Sequence, residues 1–294
     1  MEKEDIMKTF MFAWWSSFQV SWIYAIFISM KTHLWIHADC LDHLKTIKSD
    51  SIQLVITSPP YGIKKAYEKT NDLEDTLSLQ QAVLKECHRV LSPSGSICWQ
   101  VGNHVSPNTK EKIPWDILLY PYFQTLGLTL RNRIIWTFGH GLHAKNALSN
   151  RYETICWLTK SKDYYFNLDA IRIPQKYPNK KYFKGPRKGE LSCNPLGKNP
   201  GDVWDIVNVK HNHPEKTSHP CQFPLELVDR LVLSLSRPDD IVLDPFGGVA
   251  TTVISAINNN RIGIGIELDA NYYNLGKERI LSATPKTYTQ PLPH

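Results

Sequence analysis

Residues 57–62, Thr57-Ser58-Pro59-Pro60-Tyr61-Gly62, close an apolar run at 52–56, and residues 244–248, Asp244-Pro245-Phe246-Gly247-Gly248, close another at 241–243. Both runs read as strands buried on two faces. The prolines after Ser58 fix the backbone, hold Ser58 extended and remove ladder donors, so the chain leaves the sheet there. That places a rigid edge at the C-terminal end of a strand, where open α/β sheets hold their ligands. In the second stretch, glycines let the backbone approach a ligand closely. Thr251 and Thr252 follow at a helix start, and Glu267 ends the next strand, 19 residues after Gly248. An acid about 20 residues past a glycine-rich strand-to-helix turn is placed to bind ribose hydroxyls.

Outward from these stretches the chain alternates. Strands are expected at 34–37, 52–56, 96–101, 128–136, 154–158, 241–243 and 262–266. Helices are expected at 41–47, 76–91, 114–126, 228–235, 251–258 and 271–281, with Ser92-Pro93-Ser94-Gly95 breaking the second. This rhythm predicts an α/β fold with a mainly parallel sheet covered on both faces. Residues 169–215, rich in Pro, Asn, Lys and Gly, interrupt it, and a loop of that length implies function.

The chain has 294 residues, 42% hydrophobic and 21% charged, an ordinary globular composition. Its net charge of +6 is uneven. Residues 131–217 hold 16 Lys/Arg against 7 Asp/Glu, a net +9, which leaves −3 for the remainder. One basic segment on a near-neutral body points to a polyanionic partner. Its densest part, Lys176, Lys180, Lys181, Lys184, Arg187 and Lys188, contains no acid and is interleaved with Tyr177, Tyr182 and Phe183. Cations so placed neutralise phosphates, and the aromatics can stack on bases. Six scattered cysteines without a C-x-x-C pair argue against a zinc site or a disulfide scaffold and fit a reducing cytoplasm. No metal is expected. Residues 9–30 carry no charge and have the length of a membrane span, but interspersed Ser16, Ser17, Gln19 and Ser21 weaken that reading. A translation start at Met30 is the favoured account, and a membrane role is not expected.

The two stretches, in this order, resemble the catalytic and cofactor motifs of the amino-methylating DNA methyltransferases of the permuted β class, in which T-S-P-P-Y precedes D-P-F-x-G-[ST]-G-T-T. The likeness extends from 33 to 282, through Gly197–Trp204 and His219-Pro220-Cys221-Gln222-Phe223-Pro224. It implies a Rossmann-like S-adenosylmethionine-dependent sheet with permuted motif order and an inserted recognition region. The implied parts are an N-terminal extension (1–32), a catalytic half (33–164), a target-recognition region (165–213), an S-adenosylmethionine-binding half (214–282) and a tail (283–294). Asp39, Asp244, Pro245, Phe246, Gly248, Thr251 and Glu267 are the implied cofactor residues, with Asp39 equally readable as a helix N-cap. Val249 and Ala250 depart from the pattern. Alanine at 250, where the family has glycine, is strained if φ there is positive, by roughly 1 kcal/mol.

The resemblance gives Ser58, Pro59, Pro60 and Tyr61 the catalysis. An exocyclic base amine is a poor nucleophile because its lone pair is delocalised into the ring. The Ser58 hydroxyl and the Pro59 carbonyl are acceptors that can localise it, and Tyr61 can stack on a base rotated out of the duplex. Serine ahead of Pro-Pro-Tyr accompanies cytosine N4 in the family. The expectation is therefore methylation of cytosine N4 in double-stranded DNA, within a restriction–modification system that includes a cognate endonuclease. The rivals are adenine-N6 methylation by the same fold and a non-catalytic DNA-binding specificity subunit. Pro220-Cys221 mimics the cytosine-C5 nucleophile motif, but its place before the cofactor loop is the reverse of that class.

Overall fold

The computed structural model describes residues 32–62, 72–106, 108–139, 141, 143–210 and 212–283. The apolar stretch at 9–30 lies outside them. One mixed sheet of eight strands carries the fold. In spatial order the strands are β1 (Leu34–His37), β10 (Ile262–Glu267), β9 (Ile241–Asp244), β2 (Ile52–Thr57), β3 (Leu91–Val101), β7 (Tyr152–Thr159), β6 (Thr129–Thr137) and β8 (Val203–Asp205). The first five are mutually parallel. β7 runs antiparallel between β3 and β6, and β8 pairs parallel with β6.

The central strands are apolar along their whole length because both faces are covered. On one face α1 (Cys40–Leu44), α2 (Leu73–Val90) and α3 (Trp115–Thr125) bury Leu44, Leu84 and Leu119 against Val55, Ile97 and Leu243. On the other, α4 (Leu225–Leu235) packs on Leu54, Ile56 and Val242. α5 (Thr251–Asn258) and α6 (Ala270–Leu281) close round Trp35. The alternating α/β architecture expected from the pattern is thus present.

Three details differ from the expectation. β3 starts at Leu91 rather than after Gly95. Its pairing with β2 jumps from Ile52↔Leu91 to Leu54↔Ser96, so Pro93 and Gly95 ride in a bulge instead of ending an element. A short hairpin of β4 (Asn103–Val105) and β5 (Lys112–Pro114) follows β3, too brief to show a period. The irregular 169–215 stretch also contributes to the body, since Trp204, Ile206 and Val209 within it are buried.

Candidate active site

Four parallel strands deliver the motif residues to one edge. β2 and β9 are neighbours, with Val55 opposite Leu243, so Thr57 and Asp244 emerge side by side although 187 positions separate them. Thr57 Oγ1 donates to Asp244 Oδ1 at 2.6 Å. Thr252 Oγ1 and the Phe246 amide donate to the same carboxylate at 2.8 and 3.1 Å. Asp244 is therefore the clasp between catalytic strand and cofactor loop. Burial pushes its pKa up to about 6, against the pull of these donors.

The cofactor loop turns on Gly247 and Gly248. A Cβ on Gly247 would lie 2.6 Å from the Trp35 ring, and Gly265 and Gly276 crowd the same indole at 2.6 and 2.5 Å. Trp35 fills the space beneath the loop, anchored by Nε1 donating to the Tyr273 carbonyl at 2.8 Å. Gly248 has φ +55° and faces the His219 ring, itself edge-on to Tyr272. Burial, then nearby Lys216, draws His219 down to about 4. Ala250 has φ +67°, so the left-handed geometry anticipated at this position is realised with a Cβ in place. The Glu267 carboxylate accepts from the Gly248 and Asp269 amides, each at 2.7 Å, and burial raises its pKa to about 7. Asp39 caps α1 by accepting from the Leu41 amide at 2.9 Å. It also lines the cavity below, so the two readings of it are compatible.

A cavity of about 370 Å³ opens here, lined by Asp39, Ser58, Phe246, Gly248, Thr251 and Glu267 among others, with Asp244 and Pro245 in its wall. A second and wider cavity, about 920 Å³, is lined by Ser58, Tyr61, Gln100, Glu153, Lys112 and Lys210 among others. Ser58 belongs to both, and so does Cys221 at the opposite side of the seam. Buried partners hold the catalytic loop between the cavities. Gln80 Nε2 donates to the Pro60 carbonyl at 2.7 Å, and Trp115 Nε1 to the Tyr61 carbonyl at 3.2 Å. His104 Nδ1 approaches that same oxygen at 3.3 Å. Pro59 is buried and lines neither cavity, and its carbonyl accepts no hydrogen bond from the described residues.

Sequence reasoning missed the side chains that hold this loop. Gln80, Gln100, Trp115 and Glu153 lie on four elements, and only Gln100, a lone amide closing the apolar run 96–101, carries a signal in the sequence. It also missed the cations of the wide cavity, Lys110, Lys112 and Lys210, which no sequence cluster announces. Lys176, Lys180, Lys181, Lys184, Arg187 and Lys188 are all exposed and line neither cavity. They sit on a loose hairpin closed by a Lys181↔Leu191 bridge, with Phe183 88% exposed.

The DNA methylase family of N6/N4 enzymes matches residues 52–278. The type II methyltransferase M.BglII of Bacillus subtilis is 50% identical over 249 residues, 85% of this chain and 69% of its own length. The DNA adenine methyltransferase YhdJ of Escherichia coli is 35% identical over 251 residues, 83% of this chain and 80% of its own. Among solved structures, the cytosine-N4-specific PvuII DNA methyltransferase superposes with a TM-score of 0.67 at 20% identity, covering 87% of this chain and 94% of that one, a likeness of fold. A DNA modification methylase of Thermus thermophilus, complexed with S-adenosyl-L-methionine, gives 0.61 at 26% identity over 87% of this chain and 98% of that one.

Proposed function

Since this chain belongs to the N6/N4 DNA methylase family, we propose that it methylates the exocyclic N4 amine of cytosine in double-stranded DNA, as the modification half of a restriction–modification system. The observation that carries the reading is the meeting of two cavities at Ser58, one walled by the cofactor loop and the other by Tyr61 and a cationic rim. S-adenosylmethionine is the cofactor, and the smaller cavity fits it: Glu267 offers a carboxylate to ribose hydroxyls, Phe246 an aromatic face and Asp39 an acceptor. Bound there, it supplies a methyl group on a sulfonium whose sulfur keeps the bonding electron pair.

The remaining chemistry belongs to the chain. Tyr61 lies in the wall of the wide cavity, where a base rotated from the duplex can stack on it. Ser58 Oγ and the unpartnered Pro59 carbonyl accept the amine hydrogens, which localises the nitrogen lone pair as the N–C bond forms and one amine proton is lost. Because its loop is anchored through Gln80, Trp115 and His104, this geometry is set before substrate arrives. Serine at 58 favours cytosine over adenine.

We assign 33–164 to the catalytic half, 214–282 to the cofactor half and 165–213 to DNA recognition, with the 176–188 cations on phosphates. The relatives named type II methyltransferases support a companion endonuclease of the same specificity. The work is placed in the cytoplasm, with DNA. No helix among the described residues is long and apolar enough to cross a membrane. The test is methyl transfer from labelled S-adenosylmethionine to unmethylated DNA, followed by nucleoside analysis. Label in N4-methylcytosine is expected. Label in N6-methyladenine, the activity named for the Escherichia coli relative, would overturn the base, and no label would overturn the reading.

A further inference from the structure

Ser58 does not stand alone at the seam of the two cavities. Its Oγ lies 3.0 Å from the Tyr61 hydroxyl, which donates to Gln100 Oε1 at 2.8 Å, while Gln100 Nε2 donates to Glu153 Oε2. The four side chains come from the catalytic loop, β3 and β7, and all four line the wide cavity.

Hydrogen-bond counting gives this chain a direction. An ionised carboxylate only accepts, so Glu153 requires the NH2 end of the Gln100 amide and turns its oxygen towards Tyr61. A phenol has one hydrogen. That hydrogen goes to Gln100, whether to Oε1 or to the backbone carbonyl at 3.3 Å. The contact between Tyr61 and Ser58 must then run from the serine hydroxyl to the phenol oxygen. With its own hydrogen so committed, Ser58 Oγ presents only lone pairs to the seam.

We propose that Glu153, acting through Gln100 and Tyr61, is a positioning residue that fixes Ser58 as a hydrogen-bond acceptor for the target amine. The inference rests on the methyltransferase reading and holds for either base. Were the Gln100 amide reversed, its NH2 would donate to the phenol, and the phenol hydrogen would be free to turn on Ser58 Oγ. The lone pair meant for the amine would then be occupied. The amide of Gln100 is 2% exposed, so water cannot substitute for Glu153 in fixing its orientation.

The experiment is a double-mutant cycle on the full-length protein with DNA and S-adenosylmethionine, read under single-turnover conditions so that slow variants still register. Glu153→Gln, whose amide can face either way, is expected to lower the methyl-transfer rate roughly tenfold. Affinities for S-adenosylmethionine and for DNA, titrated separately, stay within about twofold. In a Tyr61→Phe background, where the relay is already cut, Glu153→Gln adds no further loss. Gln100→Leu, a second variant that severs the same link, shows the same loss alone and the same silence beside Tyr61→Phe. Thermal unfolding of each variant identifies any that fails to fold. An unchanged rate in Glu153→Gln, or an equal loss with and without the Tyr61 hydroxyl, overturns the proposal and reduces Glu153 to a structural residue of β7. The base that wild-type enzyme labels tests the proposed function separately: N6-methyladenine would refute cytosine and leave the coupling result standing.

Discussion

Between Thr57 and Gly62 the chain is held from all sides, whereas between Lys176 and Leu191 it is held almost only by itself. The catalytic loop has two carbonyls and two hydroxyls tied to side chains from α2, α3, β3, β4 and β9. The basic hairpin closes on local backbone bonds, one Arg187–Glu190 pair and the guanidinium of Arg187 over Tyr182. Exposed pairs of that kind contribute little, on the order of 0–1 kcal/mol. The difference separates two ways of meeting a substrate. A group that must stabilise a transition state gains by being fixed in advance. A cation that neutralises phosphate gains mainly from counterion release and tolerates a flexible mount.

Replacing the catalytic side chains should break the first region outright. Ser58→Ala with Tyr61→Ala is expected to lower the transfer rate by a hundredfold or more, with S-adenosylmethionine affinity nearly unchanged. Retained activity in that double variant would remove the catalytic assignment. Lys176→Ala, Lys180→Ala and Lys181→Ala together should act on the other region alone. DNA affinity falls roughly thirtyfold, and the slope of its salt dependence drops by about one per lost phosphate contact. The rate at saturating DNA holds. A lower rate at saturation, with affinity intact, would show the hairpin to be part of the chemistry.

Glu267 tests whether the cofactor loop behaves like the catalytic loop. Burial lifts its pKa to about 7 from an ordinary 4.5. The folded protein thus binds a proton that the unfolded chain has lost between those values. This group's contribution to stability is fully present below about 4.5 and disappears as pH rises through 7. Cofactor binding runs the other way, because ribose hydroxyls donate to the ionised carboxylate. S-adenosylmethionine affinity should rise up to about tenfold from pH 6 to 8, and Glu267→Gln should flatten that profile. A flat profile in the wild type would place the ribose elsewhere.

The same contrast decides what the sequence could reveal. Sheet strands announced themselves through continuous apolar runs, and the two motif loops through prolines and glycines whose backbone constraints are local. That is why the parallel sheet and the neighbourhood of Ser58, Asp244 and Glu267 were legible. Asp244 as a clasp was not, because its partner Thr57 lies 187 positions away and a Thr–Asp pair has no spacing rule. Gln80, Gln100 and Glu153 were silent for the same reason. Their meaning arises only when α2, β3 and β7 are brought to one edge. The bulge at 92–95 was misjudged because Pro and Gly mark both turns and irregular strands.

Ala250 gives the smallest expected effect and the finest test of how firmly the cofactor loop is held. Its left-handed backbone costs an alanine roughly 1 kcal/mol, which Ala250→Gly would relieve. The glycine would also forfeit the burial of one methyl, about 0.8 kcal/mol, from the packed cluster with Trp35 and Tyr273. It would further loosen the unfolded chain by about 0.4–1 kcal/mol. These terms nearly cancel, leaning towards loss. The backbone of the loop is fixed independently, by the Gly247 carbonyl accepting from the Ala250 amide at 2.8 Å, Arg279 donating to the Val249 carbonyl, and Glu267 on the Gly248 amide. Ala250→Gly should therefore move Tm by no more than about 4 °C, in the downward direction, with S-adenosylmethionine affinity within about threefold. A rise beyond that range would mean that strain at Ala250 outweighs its packing and that the loop is held less firmly than its hydrogen bonds indicate.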